Sequence, residues 1–220
     1  MLINEINHVC YVRTGLSTGF TIASHEPYNN EINYSLRYWT LVHQLKLHFY
    51  KASINICINQ KTAFIPLSIA SIVNKDKKVL CYSNSVSAYQ DIDLHKNFNR
   101  NLPLEIYNER ESFIYKIKNF KNYDSFPHNI GIVFISINNE NENLLNTINI
   151  LFEILTSKAR ALVIDISPFS LQKNFKEITK LTSELGFKIY FFSDWPKKIS
   201  QSNTQGNILL LCLPSGDNND

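Results

Sequence analysis

The sequence predicts an α/β (or α+β) protein: an N-terminal mixed or antiparallel β region with one long helix, then a C-terminal β-α-β-α-β parallel unit, together forming a three-layer sandwich. Three observations carry this. The runs at 130–137 and 161–166 are near-continuously apolar rather than alternating, as expected of strands covered on both faces. Two stripes at helical spacing intervene, Leu144, Ile148, Leu151 and Leu155, then Leu171, Phe175, Ile178, Leu181 and Leu185. The 220 residues are 44% hydrophobic and 12% aromatic, enough to bury a core and far from the composition of disordered chains.

Taken in order, residues 9–13 and 18–24 read as two short strands, joined by a turn around Gly15 that suits a hairpin. Leu36, Trp39, Leu41, Val42, Leu45 and Phe49 recur at helical spacing and predict a long helix over 32–50. Ile54, Ile56 and Ile58 alternate with Asn55, Cys57 and Asn59, the period of a strand with one buried face. Residues 62–73 and 77–82 read as further strands of a meander, with the polar turn 74–77 between them. The stretch 83–110 is polar and weakly periodic, a loop of a size that is functional or partly helical. Phe113, Tyr115 and Ile117 alternate and predict one more strand.

Pro127 and the polar residues of 119–129 mark a boundary, giving an N-terminal α+β region (1–125), a C-terminal parallel region (126–215) and a disordered tail (216–220), or one continuous domain. In the second region, strands at 130–137, 161–166, 187–192 and 208–213 are linked by crossovers that must be right-handed. The last clear helix has Ser170 placed to cap its start and Gly186 just past its end.

The 22 basic and 19 acidic residues leave a net charge of +3, too small a surplus to mark a nucleic-acid partner or an anionic membrane. No run reaches the about 18 apolar residues of a membrane span, and no secretory leader pattern opens the chain, so the cytoplasm is the expected compartment. Cys10, Cys57, Cys81 and Cys212 lie far apart among apolar neighbours and read as buried reduced thiols rather than disulfides or zinc ligands. His43 and His48 are five apart, off the face that chelation favours, and no metal or cofactor is indicated. With six glycines, the chain carries no glycine-rich phosphate loop, and GxSxG, HExxH and CxxC are likewise missing.

In an open parallel sheet, ligands bind beyond the carboxyl ends of the strands. The polar residues there include Asp165, Ser167 and Asp194, which could form a small acidic site completed by His25 and Glu26 from the other half. Asp165 and Ser167 equally suit the capping of the following helix. Asp91 and His95, in DIDLH, place an acid and a base close together in the polar stretch, as general acid/base work requires.

The segment ALVIDISP resembles the phosphoacceptor strand of response-regulator receivers, and with FKEITKLTSELGFKIYFF it resembles STAS domains. The acidic pair of the first and the signature loop of the second are missing, so the resemblance implies a fold class alone. Arg13 in YVRTG, Ser83 with Ser87 in YSNSVS, and Glu109 with Glu111 in NERES resemble elements of ADP-ribosyltransferases. The serine element is degenerate, and a parallel C-terminal unit is foreign to that fold. The expected function is therefore a non-enzymatic partner-binding or regulatory protein, such as an immunity-type inhibitor or an assembly component, whose partner is another protein. The alternative is a small hydrolase or transferase with its site at the carboxyl ends of the parallel strands.

Overall fold

Two six-residue strands open the architecture. His8–Arg13 (β1) and Gly19–Ser24 (β2) pair antiparallel as the expected hairpin, Val12 facing Phe20. The computed structural model describes residues 8–13, 19–24, 42, 45, 52–60, 62–121, 130–137, 159–192 and 208–214. The helices expected over 32–50 and around 144–155 lie outside these, except Val42 and Leu45, which are buried. The tail 216–220 lies outside them as well.

The main sheet follows: Ile54–Ile58 (β3), Lys78–Tyr82 (β4), Leu104–Tyr107 (β5), Ile130–Ile137 (β6), Ala161–Ile166 (β7), Phe187–Phe192 (β8) and Ile208–Pro214 (β9). Among the described residues these seven strands stand in the order β5-β4-β3-β6-β7-β9-β8. The fold is mixed α/β with a mostly parallel sheet. Pairs β3–β4, β4–β5, β3–β6 and β6–β7 are parallel, whereas β9 runs antiparallel to both β7 and β8. The last strand thus departs from the expected all-parallel C-terminal unit. Strand direction is set by the connection that precedes it, and an apolar run carries no sign of its direction.

The N-terminal half differs more. Residues 62–73 hold a helix, Phe64–Ile72 (α1), and not a strand of a meander. Every residue from Ile65 to Ile72 is buried, so no polar stripe reveals the helical period, and a short apolar run cannot be told from a strand by periodicity. Pro66 is accommodated in the first turn, where its missing N–H has no helical partner to lose. The polar stretch 83–110 contains Val86–Phe98 (α2) and β5. Its helix buries a narrow stripe of Ala88, Ile92 and His95, and the Ser85 hydroxyl accepts the Ala88 amide at 3.4 Å as its cap. The strand expected at 113–120 is a helix, Arg110–Lys121 (α3): Phe113, Ile114 and Ile117 are buried at helical spacing while Tyr115 is 69% exposed. The alternation that suggested a strand was accidental.

Strand β3 is buried at all five positions, not on one face only. Its two faces belong to two cores. Ile54, Ile56 and Ile58 join Phe113 and Ile117 of α3 and Leu171, Ile178 and Leu181 of Pro168–Glu184 (α4). Cys57 joins α1, Ile92 of α2 and Phe20 of the hairpin, whose ring meets Phe64 edge-on at 5.6 Å. Helix, sheet and helix thus make three layers. The start of α4 is capped by Ser167, whose hydroxyl accepts the Ser170 amide at 3.2 Å, and not by Ser170 itself. Pro168 occupies the first helical position, and Gly186 takes φ +78° just past the end as expected.

Candidate active site

From β3 the chain runs outward through α1 to β4 and through α2 to β5, with both helices on one face; α3 then returns it along the other face to β6, beside β3. The order therefore reverses between β3 and β6. In such a sheet, the crevice outside the carboxyl ends at this switch point is where ligands bind.

The turn that leaves β3 bounds this crevice. Asn59 takes φ +55°, a left-handed conformation that Asn tolerates better than most side chains, and its amide donates to Tyr82 O at 2.8 Å. The chain has no glycine between Gly19 and Gly131, so side chains occupy the whole turn. Gln60 is buried, and its Nε2 donates to Ile58 O at 3.0 Å and to Phe134 O at 3.4 Å, linking the end of β3 to the middle of β6. At the start of α1, the Ala63 amide donates to Asp91 Oδ2 at 3.1 Å.

Asp91 and His95 are not in a loop but one turn apart on α2. His95 Nδ1 lies 2.7 Å from Asp91 O and 3.4 Å from Asp91 Oδ1. A backbone carbonyl can only accept, so Nδ1 carries the proton. The His95 side chain is buried, while that of Asp91 remains 39% exposed.

Beyond β4, Ser83 is 2% exposed; its amide donates to Tyr107 O at 3.0 Å and its hydroxyl accepts the Ser85 amide at 3.4 Å. Tyr82 stacks on Phe113 with centroids 5.3 Å apart, and burial pushes its phenol pKa up. At the sheet edge, Tyr107 donates to Glu105 Oε2 at 2.8 Å, and Lys78 and Lys116 approach the same carboxylate at 3.0 and 3.2 Å. Burial alone would lift the Glu105 pKa, but the hydrogen bonds from Lys78, Tyr107 and Lys116 outweigh it and hold the carboxyl below its ordinary range.

Of the candidates from sequence, Asp165 stands at the carboxyl end of β7, buried, in register with Ser136 of β6. Ser167 follows two residues later as the α4 cap. Asp194, His25 and Glu26 lie outside the described residues. Strand-end reasoning missed Asn59, Gln60 and Ser83, although a polar pair directly after the clearest strand was a legible signal. Among the described residues no three His, Cys, Asp or Glu side chains are placed to hold a metal, and no helix is long and apolar enough to cross a membrane. A shallow groove of about 440 Å³ between α4 and β8, lined by Phe175, Thr182, Phe187 and Tyr190, lies at the far edge, four strands from β3.

No protein-family model and no curated protein matches the sequence. The fold, in contrast, is shared with solved structures of methyltransferases. The chain is similar to an rRNA methylase from Streptococcus thermophilus (TM-score 0.55, 14% identity, 80% of this chain and 94% of the other). It is similar also to precorrin-6y C5,15-methyltransferase from Geobacter metallireducens (0.51, 9%, 80% and 89%). A third likeness is to magnesium protoporphyrin IX methyltransferase from Synechocystis, solved with bound SAM (0.53, 10%, 85% and 82%). These likenesses count against the expectation of a non-enzymatic, protein-binding regulator, because the solved proteins that share the fold are named as enzymes. Missing motifs do not argue against this, because a fold kept at such low identity need not keep recognisable motifs.

Proposed function

We propose that this chain is a transferase of the methyltransferase class, with its site in the crevice beyond β3, β4, β6 and β7 and an adenosyl compound as its donor. The observation that carries the reading is a likeness spanning four-fifths of this chain and nearly the whole of an enzyme of that class, joined to a switch point bordered by polar side chains. The small net charge of +3 favours a small-molecule acceptor over RNA. The buried free thiols Cys57, Cys81 and Cys212 are in keeping with a reducing compartment such as the cytoplasm.

S-adenosylmethionine joins a nucleoside to an amino acid through a sulfonium, and the residues fit its two halves differently. For the nucleoside, Asn59 supplies the left-handed turn that glycine ordinarily gives, and Ser83 with Asn84 supplies neutral hydrogen-bonding groups where an acid would hold the ribose. For the amino acid the fit fails at one donor: the amide of Ala63, the cap residue ahead of α1, is already bonded to Asp91. No reaction step is therefore derived through the whole cofactor.

On the acceptor side, Asp165 is the buried acid nearest the strand ends that could take a proton. The test is calorimetric titration of the full chain with 5′-methylthioadenosine, paired with transfer of labelled methyl from an adenosyl sulfonium to phenol and amine acceptors. Saturable binding that Ser83→Ala weakens, and transfer that Asp165→Asn lowers about hundredfold, are expected. Absence of binding by the nucleoside would refute the reading.

A further inference from the structure

We infer that Cys57 and Cys81 form a redox-sensitive pair that closes to a disulfide under a peroxide oxidant and so weakens nucleoside binding in the crevice beyond their strands. The disulfide itself rests on strand register and packing; its effect on binding rests on the adenosyl reading above.

Two thiols are bridged only where the backbone already brings them together. Cys57 of β3 and Cys81 of β4 are direct partners in the parallel ladder, and both pack on the face of the sheet covered by α1 and α2. Neighbouring strands lie about 4.8 Å apart, inside the range of about 4.4–6.8 Å between Cα atoms that a disulfide spans. Both residues are free thiols and fully enclosed. Burial pushes the Cys57 thiol up and the neighbouring Cys81 pushes it further, as expected of sulfurs within electrostatic reach of one another. Cys212 stands apart: β6 and β7 separate its strand from β3, and it packs on the opposite face.

Enclosure keeps bulky oxidants out, and raised thiols react slowly. Hydrogen peroxide is small, and the helix above is lightly held, since α2 buries only Ala88, Ile92 and His95, a stripe that local opening lifts. One thiolate attacks a peroxide oxygen and breaks the O–O bond, giving a sulfenic acid and a hydroxide that takes up a proton to become water. The second thiolate attacks the sulfenic sulfur; the S–S bond forms as the S–OH bond breaks, and another water leaves. The sulfurs lose two electrons to the peroxide, and both thiol protons end in water.

A disulfide holds its Cβ atoms about 3.8 Å apart, closer than the strand spacing of about 4.8 Å, so closure draws β4 towards β3 by about 1 Å. Immediately beyond the pair, the Asn59 amide donates to Tyr82 O at 2.8 Å, and Ser83 follows Tyr82. The displacement therefore reaches the two strand ends that border the crevice.

The experiment treats the native full chain with hydrogen peroxide, blocks the remaining thiols with N-ethylmaleimide and maps peptides by mass. A link between Cys57 and Cys81 that dithiothreitol reverses is expected. Calorimetry on the same samples should show 5′-methylthioadenosine binding about tenfold weaker after oxidation, the size of one hydrogen bond, and restored by reduction. Cys81→Ala and Cys57→Ala should each bind the nucleoside as the reduced chain does and keep that affinity under peroxide. No link between these two residues, or one that forms only in denaturant, overturns the inference, as does a link that leaves the affinity unchanged. If the reduced chain fails to bind methylthioadenosine while the link still forms, the adenosyl reading falls and with it the effect on binding, whereas the redox pair stands.

Discussion

The amide of Ala63, at the start of α1, donates to Asp91 Oδ2 of α2 at 3.1 Å, tying the loop after the central strand to the helix after its neighbour. This contact joins residues 28 apart in sequence and serves as the cap that α1 lacks locally, since the side chain of Ala63 cannot accept a hydrogen bond. Asp91→Ala should lower unfolding free energy by about 1 kcal/mol, in the range of lost helix caps. Asp91→Asn should cost less than half as much. Urea denaturation measures both, and equal costs would show that charge rather than the acceptor oxygen matters.

Asn59 holds φ +55° in a turn where the chain has no glycine to spare. Asn59→Gly should be near neutral in stability, and Asn59→Ala should cost about 1 kcal/mol because its Cβ disfavours the left-handed region. A β-branched Asn59→Val should cost more than alanine. Thermal unfolding of the three variants checks this order, and a stable valine variant would contradict it.

Ser167 caps α4 through the Ser170 amide at 3.2 Å. Ser167→Ala should destabilise the chain by about 1 kcal/mol, and Ser167→Asp should restore most of the loss because Asp caps well and favours a helix start. Chemical denaturation of the pair distinguishes this capping role from one in which any substitution is harmful.

Stability should fall at both ends of the pH scale. Burial pushes the thiols of Cys57 and Cys81 up, and that of Cys212 up to about 12. The phenols of Tyr82 and Tyr107 are raised too, first by burial. Each group is held neutral by the fold while the unfolded chain ionises earlier. Their contribution is full below the unfolded values, about 8.5 for thiols and about 10 for phenols, and is lost as pH rises above them. Glu105 works in reverse: its folded pKa is depressed, so its contribution is present above about pH 4.3 and is lost on acidification below that. Melting temperatures from pH 3 to 11 should trace a plateau with both flanks falling. Glu105→Gln should flatten the acid flank, and an unchanged flank would contradict the assignment.

The parts of the fold that were legible are those whose environment writes a distinct pattern. Strands β6 and β7 are enclosed on both faces and read as apolar runs, and α4 lies on the surface with one buried stripe and a glycine at its end. Helix α1 was illegible for the opposite reason: total burial erased its period. Helix α2 is so polar that three buried side chains could not be heard above the rest. The site follows the same logic. Asp91 and His95 stood out as an acid and a base nearby, but their role depends on Ala63, which only the packing of α2 beside α1 brings to them. Asp165 was singled out by its place at a strand end, whereas Gln60 and Ser83 were passed over because their strands read as part of a meander and not of a parallel sheet.

The central claim is that a nucleoside lies over the carboxyl ends of β3 and β4. A crystal structure of the chain with 5′-methylthioadenosine tests it most directly. The account predicts density against the 58–60 turn, with the ribose within hydrogen-bond distance of Ser83 or Asn84 and the sulfur end toward Asp91. Density confined to the groove between α4 and β8, or none at a saturating ligand concentration, would contradict it.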